Sequence, residues 1–189
     1  WNQIGQDIDG GAADDASGFS VDLNNNGYTL AIGAPYNDGN GTSAGHTRVY
    51  HYDGFSWIQL GNDIDGMSQD GKFGTAVSLS KDGNNLLIGA EGSGPSGGYV
   101  ETYNWNGVNW IQAGQTFVGF SGFNQFGYTA AISGSGEFMI AGDLYNNVAR
   151  IFSTGISNHI SPPCSGCTDS LAVNYDPYSL IDDSSCAYA

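Results

Sequence analysis

The sequence predicts an all-β fold made of three tandem repeats, each of which contributes four strands. A Trp-x-Gln-x-Gly segment at residues 1–5 recurs at residues 57–61 and 110–114, so the repeats are 56 and 53 residues apart. Within each repeat, apolar side chains alternate with polar ones, which is the period-two pattern of strands. Three series of glycines keep the same offsets: Gly18, Gly74 and Gly127; Gly27, Gly83 and Gly136; Gly33, Gly89 and Gly142.

The first repeat displays its strands in order. Phe19, Val21 and Leu23 alternate with polar residues, and a short apolar run follows at residues 30–33. A longer alternating stretch covers residues 47–52, and the next Trp-x-Gln-x-Gly segment supplies the fourth strand. The later repeats follow the same order.

Turn sequences separate these strands. Asn-Gly and Asp-Gly pairs allow the positive φ that tight hairpins need. No stretch has the 3.6-residue period of an amphipathic helix, and four meandering strands per tandem unit are typical of propeller blades. The turn pairs are Asn26-Gly27, Asp53-Gly54, Asp82-Gly83 and Asn106-Gly107.

Particular residues make these repeats similar to a known family. The motifs are Gly18-Phe19-Ser20-Val21, residues 73–77 and residues 126–128, followed by Ile32-Gly33-Ala34-Pro35 and Ile88-Gly89-Ala90. Over about residues 1–153 the chain resembles the FG-GAP-type repeats of β-propellers, which occur in integrin α-subunit heads and in secreted microbial proteins. The third copy departs from the motif at Ala141-Gly142-Asp143. The resemblance implies three blades, with repeats at about 1–56, 57–109 and 110–155.

A propeller closes with about four to eight blades, and three blades are fewer than that. The opening Trp segment belongs to a preceding blade, and the last blade ends on its third strand, so another copy would complete it head-to-tail as a ring or a filament. Further blades outside these residues, or a self-closed three-fold β-trefoil, are the alternatives. The expected assembly edge consists of Trp1, Asn2, Gln3, Ile4, Arg150, Ile151 and Phe152.

A small C-terminal module is expected at residues 164–189, after a linker at 156–163. It is similar to a "GCTD…NYDP…DD-SC" module near the C-termini of secreted bacterial proteins. A zinc site needs four ligands, so three cysteines with only a distant His159 beside them fall short. A Cys167–Cys186 disulfide would close a loop of about 20 residues and contribute roughly 3 kcal/mol. Cys164 is then the odd thiol, and an extracellular location is expected.

Calcium is the one cofactor that the sequence suggests. Blades of the resembled family often carry an acidic loop between the first two strands, which implies oxygen ligands at Asp22, Asn24 and Asn26. An Asn-Gly hairpin turn explains the same residues without a metal and is the favoured alternative. The matching positions in later copies are Ser78, Ser80, Asp82, Ala131, Ser133 and Ser135.

Two other groups of oxygen donors are calcium candidates. One is a repeated Asp-Ile-Asp-Gly segment, for which solvated loop carboxylates are the favoured explanation. The second is the densest oxygen-donor cluster of the chain and lies in the C-terminal module. The first group is Asp7, Asp9, Asp63 and Asp65, and the second is Asp169, Asn174, Asp176, Asp182 and Asp183.

Composition excludes several classes of function. The chain has 19 acidic and 4 basic residues and a formal charge of −15, which disfavours binding to nucleic acid and to anionic membranes. Apolar runs such as residues 138–141 are far shorter than the roughly 20 residues of a membrane-spanning helix. A G-x-G-x-x-G match at residues 92–97 precedes a strand rather than a helix, and the histidines lack the spacing of a triad. No enzymatic activity is expected.

These observations lead to one expected function and one rival. The expected function is that of an extracellular structural or adhesive protein, which assembles through β-edges, head-to-tail, into an oligomer or surface filament. The rival is a carbohydrate- or ligand-binding module of a larger adhesin, since loop aromatics can stack on sugar rings. Glycans and surface proteins are therefore possible partners besides a second copy. Asn40-Gly41-Thr42 is a candidate glycosylation site on an expected loop.

Overall fold

A computed structural model describes residues 1–92, 97–119 and 125–154, together with the backbone of residues 165–166 and 181–182. The predicted all-β class is confirmed, because these parts of the chain contain fourteen strands and no helix. The first five strands are β1 (Ser20–Leu23), β2 (Thr29–Ala34), β3 (His46–Tyr52), β4 (Trp57–Gln59) and β5 (Ile64–Asp65). The next four are β6 (Phe73–Leu79), β7 (Asn85–Ala90), β8 (Tyr99–Trp105) and β9 (Trp110–Val118). The last five are β10 (Phe126–Ile132), β11 (Phe138–Asp143), β12 (Val148–Ser153), β13 (Ser165–Gly166) and β14 (Ile181–Asp182).

The first twelve strands form three antiparallel sheets, which we call blades. Blade 1 has the order β1-β2-β3-β4, with β5 also paired to β3; blade 2 has the order β6-β7-β8-β9; blade 3 has the order β10-β11-β12. The Trp segment closes the blade that precedes it, as predicted, since Trp57 pairs with Tyr52 and Trp110 with Trp105. None of the three sheets closes into a barrel, so the described residues form incomplete propeller-like repeats rather than the alternative β-trefoil.

The Asn-Gly and Asp-Gly turns lie where the sequence predicted them. Gly27 and Gly83 both have φ of 77° in the hairpins between the first two strands of blades 1 and 2. Because this φ is in the left-handed region, glycine is the residue that adopts it with least strain.

Each inner blade interface joins two defined faces. The leading face of blade 2, which carries Val77, Leu79 and Ile88, packs on Ala31 and Val49 of blade 1 in one apolar cluster. The opposite, trailing face of blade 2 packs on the leading face of blade 3 in a second cluster. We use these names for the equivalent faces of every blade. Full burial of an aliphatic side chain, such as that of Ile88, contributes about 1.5–3 kcal/mol to the stability of the fold.

Glycines allow neighbouring blades to approach backbone to backbone. A Cβ placed on Gly33 of β2 would lie 2.0 Å from the carbonyl oxygen of Gly74 in blade 2. A Cβ on Gly89 of β7 would lie 2.1 Å from the carbonyl oxygen of Gly127 in blade 3. No larger residue fits at these positions, which explains why the repeat retains glycine there.

The chain divides into two compact units, Trp1–Ile156 and Ser157–Ala189. In the second unit, β13 and β14 pair in parallel through Ser165 with Ile181 and Gly166 with Asp182. The predicted disulfide residues Cys167 and Cys186, like Cys164, lie outside the described residues. So do the candidate calcium ligands of the module, apart from the backbone of Asp182. Among the described residues, no helix has the length and hydropathy to span a membrane.

Candidate functional site

The candidate calcium loop of blade 1 is a hydrogen-bonded turn. The buried Asn24 accepts hydrogen bonds at Oδ1 from the backbone N–H groups of Tyr28 (3.1 Å) and Thr29 (3.0 Å). Asn26 Oδ1 accepts another from Tyr28 N–H at 2.8 Å. These bonds are what the turn explanation requires. Calcium binding by this loop stays a prediction.

Asp22, the third residue of that candidate set, joins two blades. Its Oδ2 accepts a hydrogen bond from the backbone N–H of Leu79 in blade 2, at 2.7 Å. The equivalent residue of blade 2, Ser78, accepts from the N–H of Ile132 in blade 3, at 3.2 Å. Because the same contact recurs with a different side chain, its shared role is the interblade hydrogen bond. Blade 3 has Ala131 at this position.

The start of β3 carries a cluster of three possible metal ligands that the sequence analysis did not assemble. The side-chain donor atoms of His46, Asp63 and Asp65 lie within 4.8 Å of one another. They meet because β5 pairs with β3, which places Asp65 directly opposite His46. Asp63 already accepts hydrogen bonds from Arg48 (3.0 and 2.8 Å) and from Gln59 (2.7 Å). The Arg48 guanidinium supplies the positive charge that an ion would otherwise provide.

The hydrogen bonds from Arg48 hold the pKa of Asp63 below its ordinary value. Burial, and then the positive charge of Arg48, lower the pKa of His46, while the carboxylates of Asp63, Asp65 and Asp15 act in the opposite direction. The imidazole is therefore neutral over the physiological range, and this cluster is an ion-pair network within blade 1.

His46 makes folding stability pH-dependent. Its folded pKa lies below the unfolded value, so its contribution is complete above about pH 6.5 and is lost as the pH falls, because the unfolded chain takes up the proton first. This one group changes the free energy of unfolding by at most about 1.4 kcal/mol per pH unit. We expect His46→Gln to reduce the slope of unfolding free energy between pH 6.5 and 5, measured by urea denaturation. His51→Gln is the control, because His51 is an exposed histidine of the same strand. Equal slopes for wild type and His46→Gln would contradict this assignment.

Where blade 1 has the Arg48–Asp63 ion pair, blade 2 has a carboxylate that accepts hydrogen bonds from uncharged hydroxyl groups. Glu101, which is 1% exposed, accepts hydrogen bonds from Thr116 Oγ1 (2.6 Å) and from the hydroxyl of Tyr103 (2.7 Å). Burial, reinforced by the Glu101 carboxylate, raises the pKa of the Tyr103 hydroxyl. The Tyr103 bond lies within β8, whereas the Thr116 bond joins β8 to β9 and so ties the third strand of blade 2 to its fourth.

The leading face of blade 1 is exposed although its counterpart in blade 2 is buried. Val21 is 60% and Leu23 is 52% exposed, whereas the equivalent Val77 and Leu79 are 8% and 6% exposed. The difference arises because Val77 and Leu79 pack on blade 1, while no described blade covers Val21 and Leu23. Blade 1 therefore presents an apolar surface with the pattern of a buried interface.

The trailing face of blade 3 is exposed in the same way. Ile140 is 40% and Ile151 is 72% exposed, whereas their equivalents on buried trailing faces, Leu87 in blade 2 and Val49 in blade 1, are 0% and 1% exposed. At one end of this face lies an open groove of about 360 Å³, whose lining includes Gly142, Thr129 and Ala149. At an inner interface, the corresponding surface is occupied by the first strand of the following blade.

The opening segment lies against blade 1. Trp57 Nε1 donates a hydrogen bond to the carbonyl oxygen of Ile4 at 3.2 Å, and Trp110 Nε1 donates to the carbonyl oxygen of Leu60 at 3.1 Å. Residues 1–5 therefore lie beside blade 1 as residues 57–61 lie beside blade 2. They form no strand, contrary to the prediction, because no described third strand runs next to them.

The remaining predicted assembly residues occupy different environments. Trp1, Asn2, Gln3 and Ile4 are exposed, and among the described residues no hydrogen bond links them to β12. Arg150 lies 3.9 Å from Asp143 and above the Phe126 ring, and Phe152 packs on Phe117 with a 4.5 Å centroid distance.

The candidate glycosylation residue Asn40 lies on the loop between β2 and β3. Its side chain is exposed, and Nδ2 donates to the carbonyl oxygen of Gly66 at 3.3 Å. An attached glycan would be accessible from solvent but would disturb this single hydrogen bond. Glycosylation at Asn40 stays a prediction.

Comparison with known proteins gives a likeness in fold alone. No protein-family model and no curated protein matches the chain. Hydrazine synthase from Kuenenia stuttgartiensis is similar with a TM-score of 0.50 and 13% identity, over 72% of this chain and 45% of that one. A complex of KlAtg21 with the coiled coil of AgAtg16 gives a TM-score of 0.53 and 15% identity, over 72% and 39%. The chain thus spans less than half the length of either. Its own antiparallel sheets fit a propeller-like fold.

Proposed function

We propose that this protein is a non-enzymatic structural or adhesive protein that acts outside the cell and assembles head-to-tail. The observation that carries the proposal is the exposure of two apolar blade faces whose counterparts inside the same chain are buried. Large contiguous apolar surfaces mark interaction sites in soluble proteins. The two exposed faces are complementary because each corresponds to one half of an inner blade interface. The β-edges at the two ends of the array would meet when these faces pack.

The finer family assignment is part of this proposal. We assign the three blades to the FG-GAP type on their Gly-Phe-Ser-Val and Ile-Gly-Ala motifs, which lie at β1 and along β2 and β7. An extracellular location is supported by the resemblance of the C-terminal module and its three cysteines to secreted bacterial proteins. The charge of −15 supports a partner other than nucleic acid or an anionic membrane.

A carbohydrate-binding module is the second candidate. Exposed aromatic rings on loops favour it, such as Phe55 at 87% and Tyr145 at 66% exposure. Aromatic rings can pack on the apolar faces of sugars. A glycan array, run with calcium and with a chelator, tests this candidate. Saturable binding to defined sugars would favour it over assembly, and its loss with the chelator would support the calcium prediction.

The mass of the chain in solution tests the proposed assembly. We expect light scattering to give masses above the 19.8 kDa of one chain at concentrations on the order of 10–100 µM. Assembly should strengthen between 20 and 300 mM salt, since screening weakens the repulsion between copies that each carry −15. A 19.8 kDa species at every concentration and salt level would contradict the proposal.

A further inference from the structure

The inner blade interfaces share one backbone contact. In both, the carbonyl oxygen of a positive-φ glycine that begins a blade lies over a glycine in the second strand of the preceding blade. Gly74 lies over Gly33, and Gly127 lies over Gly89, at 2.0 and 2.1 Å from where a Cβ would be. The repeat therefore contains a socket, the second-strand glycine, and a plug, the glycine that starts the next blade.

One plug and one socket have no counterpart among the described blades. The socket is Gly142 of blade 3, where the atoms nearest to an added Cβ belong to Thr129 of the same blade. The plug is Gly18 of blade 1, which has φ of 90°, the same as Gly74. A Cβ on Gly18 would meet no atom within 4 Å, whereas at Gly74 it would meet backbone atoms of blade 1, including His46 O at 2.5 Å.

We infer that the groove over Gly142 binds the Gly18 segment of a second copy, with residues 18–23 lying across it as the first strand of the next blade. This inference rests on the proposed function and specifies its geometry. Val21 and Leu23 of one copy would then cover Ile140 and Ile151 of the other. The burial of these side chains supplies the driving force for docking.

A polar contact of the inner interface is also available here. Ser20 Oγ donates a hydrogen bond to the carbonyl oxygen of Gly74 at 2.7 Å, next to Gly33. Thr129 is the blade 3 equivalent of Ser20, and its hydroxyl lies beside Gly142. The Thr129 hydroxyl is thus positioned to donate to the carbonyl oxygen of an incoming Gly18.

Two departures from the inner interfaces limit the contact to the Gly142 region. Blade 3 has Ala131 in place of Asp22, so it offers no acceptor for the N–H of an incoming Leu23. It also has Asn147 at the position of Gly45 in blade 1. A Cβ on Gly45 would lie 2.2 Å from the carbonyl oxygen of Phe73, so a residue with a side chain does not allow the same close approach. The docked strand would therefore be held around Gly142 and the Ile140–Ile151 pair.

This contact is heterologous, because the two copies use different surfaces. Each copy that docks on blade 3 presents its own blade 3 to a further copy. The assembly therefore either closes into a ring or grows into an open filament.

Gly142→Ala tests the inference. The new methyl group would block the approach of the Gly18 carbonyl. Among the described residues of its own chain, its one close contact would be the Thr129 hydroxyl at 2.5 Å, which can rotate. We expect a folded chain whose assembly requires about 10- to 100-fold higher concentration, by sedimentation velocity with circular dichroism as the fold check. Gly134→Ala is the matched control, since its Cβ would lie 3.4 Å from Lys81 Cβ.

The outcomes separate this inference from the proposed function. If the wild type assembles and Gly142→Ala assembles equally well, the inferred contact between Gly18 and Gly142 is wrong, while the proposed assembly stands. If the wild type stays monomeric, both are wrong. Should Gly142→Ala fail to fold, Ile140→Asp at an exposed position gives the same readout.

Discussion

Gly89→Ala is expected to lower the free energy of unfolding by about 3 kcal/mol or more. The methyl group would lie 2.1 Å from the carbonyl oxygen of Gly127 and 3.2 Å from Ala76 Cβ. Gly89 lies in β7, which pairs with β6 on one side and β8 on the other, so the strand cannot shift away without breaking pairing within blade 2. The clash is with backbone atoms of Gly127 in blade 3, so rotation of a side chain cannot relieve it.

Urea denaturation monitored by tryptophan fluorescence measures this effect. Gly134→Ala provides the same chemical change at an exposed position with room for a methyl group, and its expected effect is below about 1 kcal/mol. An unchanged unfolding midpoint for Gly89→Ala would mean that the blades do not pack backbone to backbone as described.

Val21→Asp and Ile151→Asp are each expected to prevent assembly while leaving the chain folded. Both side chains are largely exposed within one chain, at 60% and 72%, so a carboxylate there remains hydrated in the monomer. In the assembly, each would become buried against an apolar surface without a partner, which costs several kcal/mol. The expected loss in affinity is therefore at least about 100-fold.

The control for these variants is Val108→Asp. Val108 is 70% exposed, but it lies in the turn between β8 and β9 and belongs to neither outer face. We expect this variant to assemble like the wild type in sedimentation velocity. If Val108→Asp is as disruptive as the face variants, the effect comes from added negative charge rather than from the blade faces.

The strand order and the turns could be predicted from the sequence because they depend on local patterns. The alternation of Phe19, Val21 and Leu23 predicts β1, and the glycine after Asn26 predicts the hairpin that follows. The 56- and 53-residue offsets predict that each Trp segment closes the blade before it. These signals need no information about the partner of a strand.

The environment of the candidate sites could not be predicted in the same way. Val21 and Val77 are the same residue at equivalent repeat positions, yet one is exposed and the other buried, because burial depends on which blade is adjacent. Asp22 has the appearance of a metal ligand in the sequence, but it accepts a hydrogen bond from Leu79, a partner 57 residues away. The His46 cluster depends on the pairing of β5, a strand of two residues.

Sedimentation equilibrium of an equimolar mixture of Val21→Asp and Ile151→Asp chains tests the central claim most directly. Each variant keeps one intact face, so a head-to-tail interface predicts that the mixture forms a pair of about twice 19.8 kDa and grows no further, while each variant alone stays at 19.8 kDa. A mixture that remains monomeric at concentrations where the wild type assembles would show that the two outer blade faces do not bind each other.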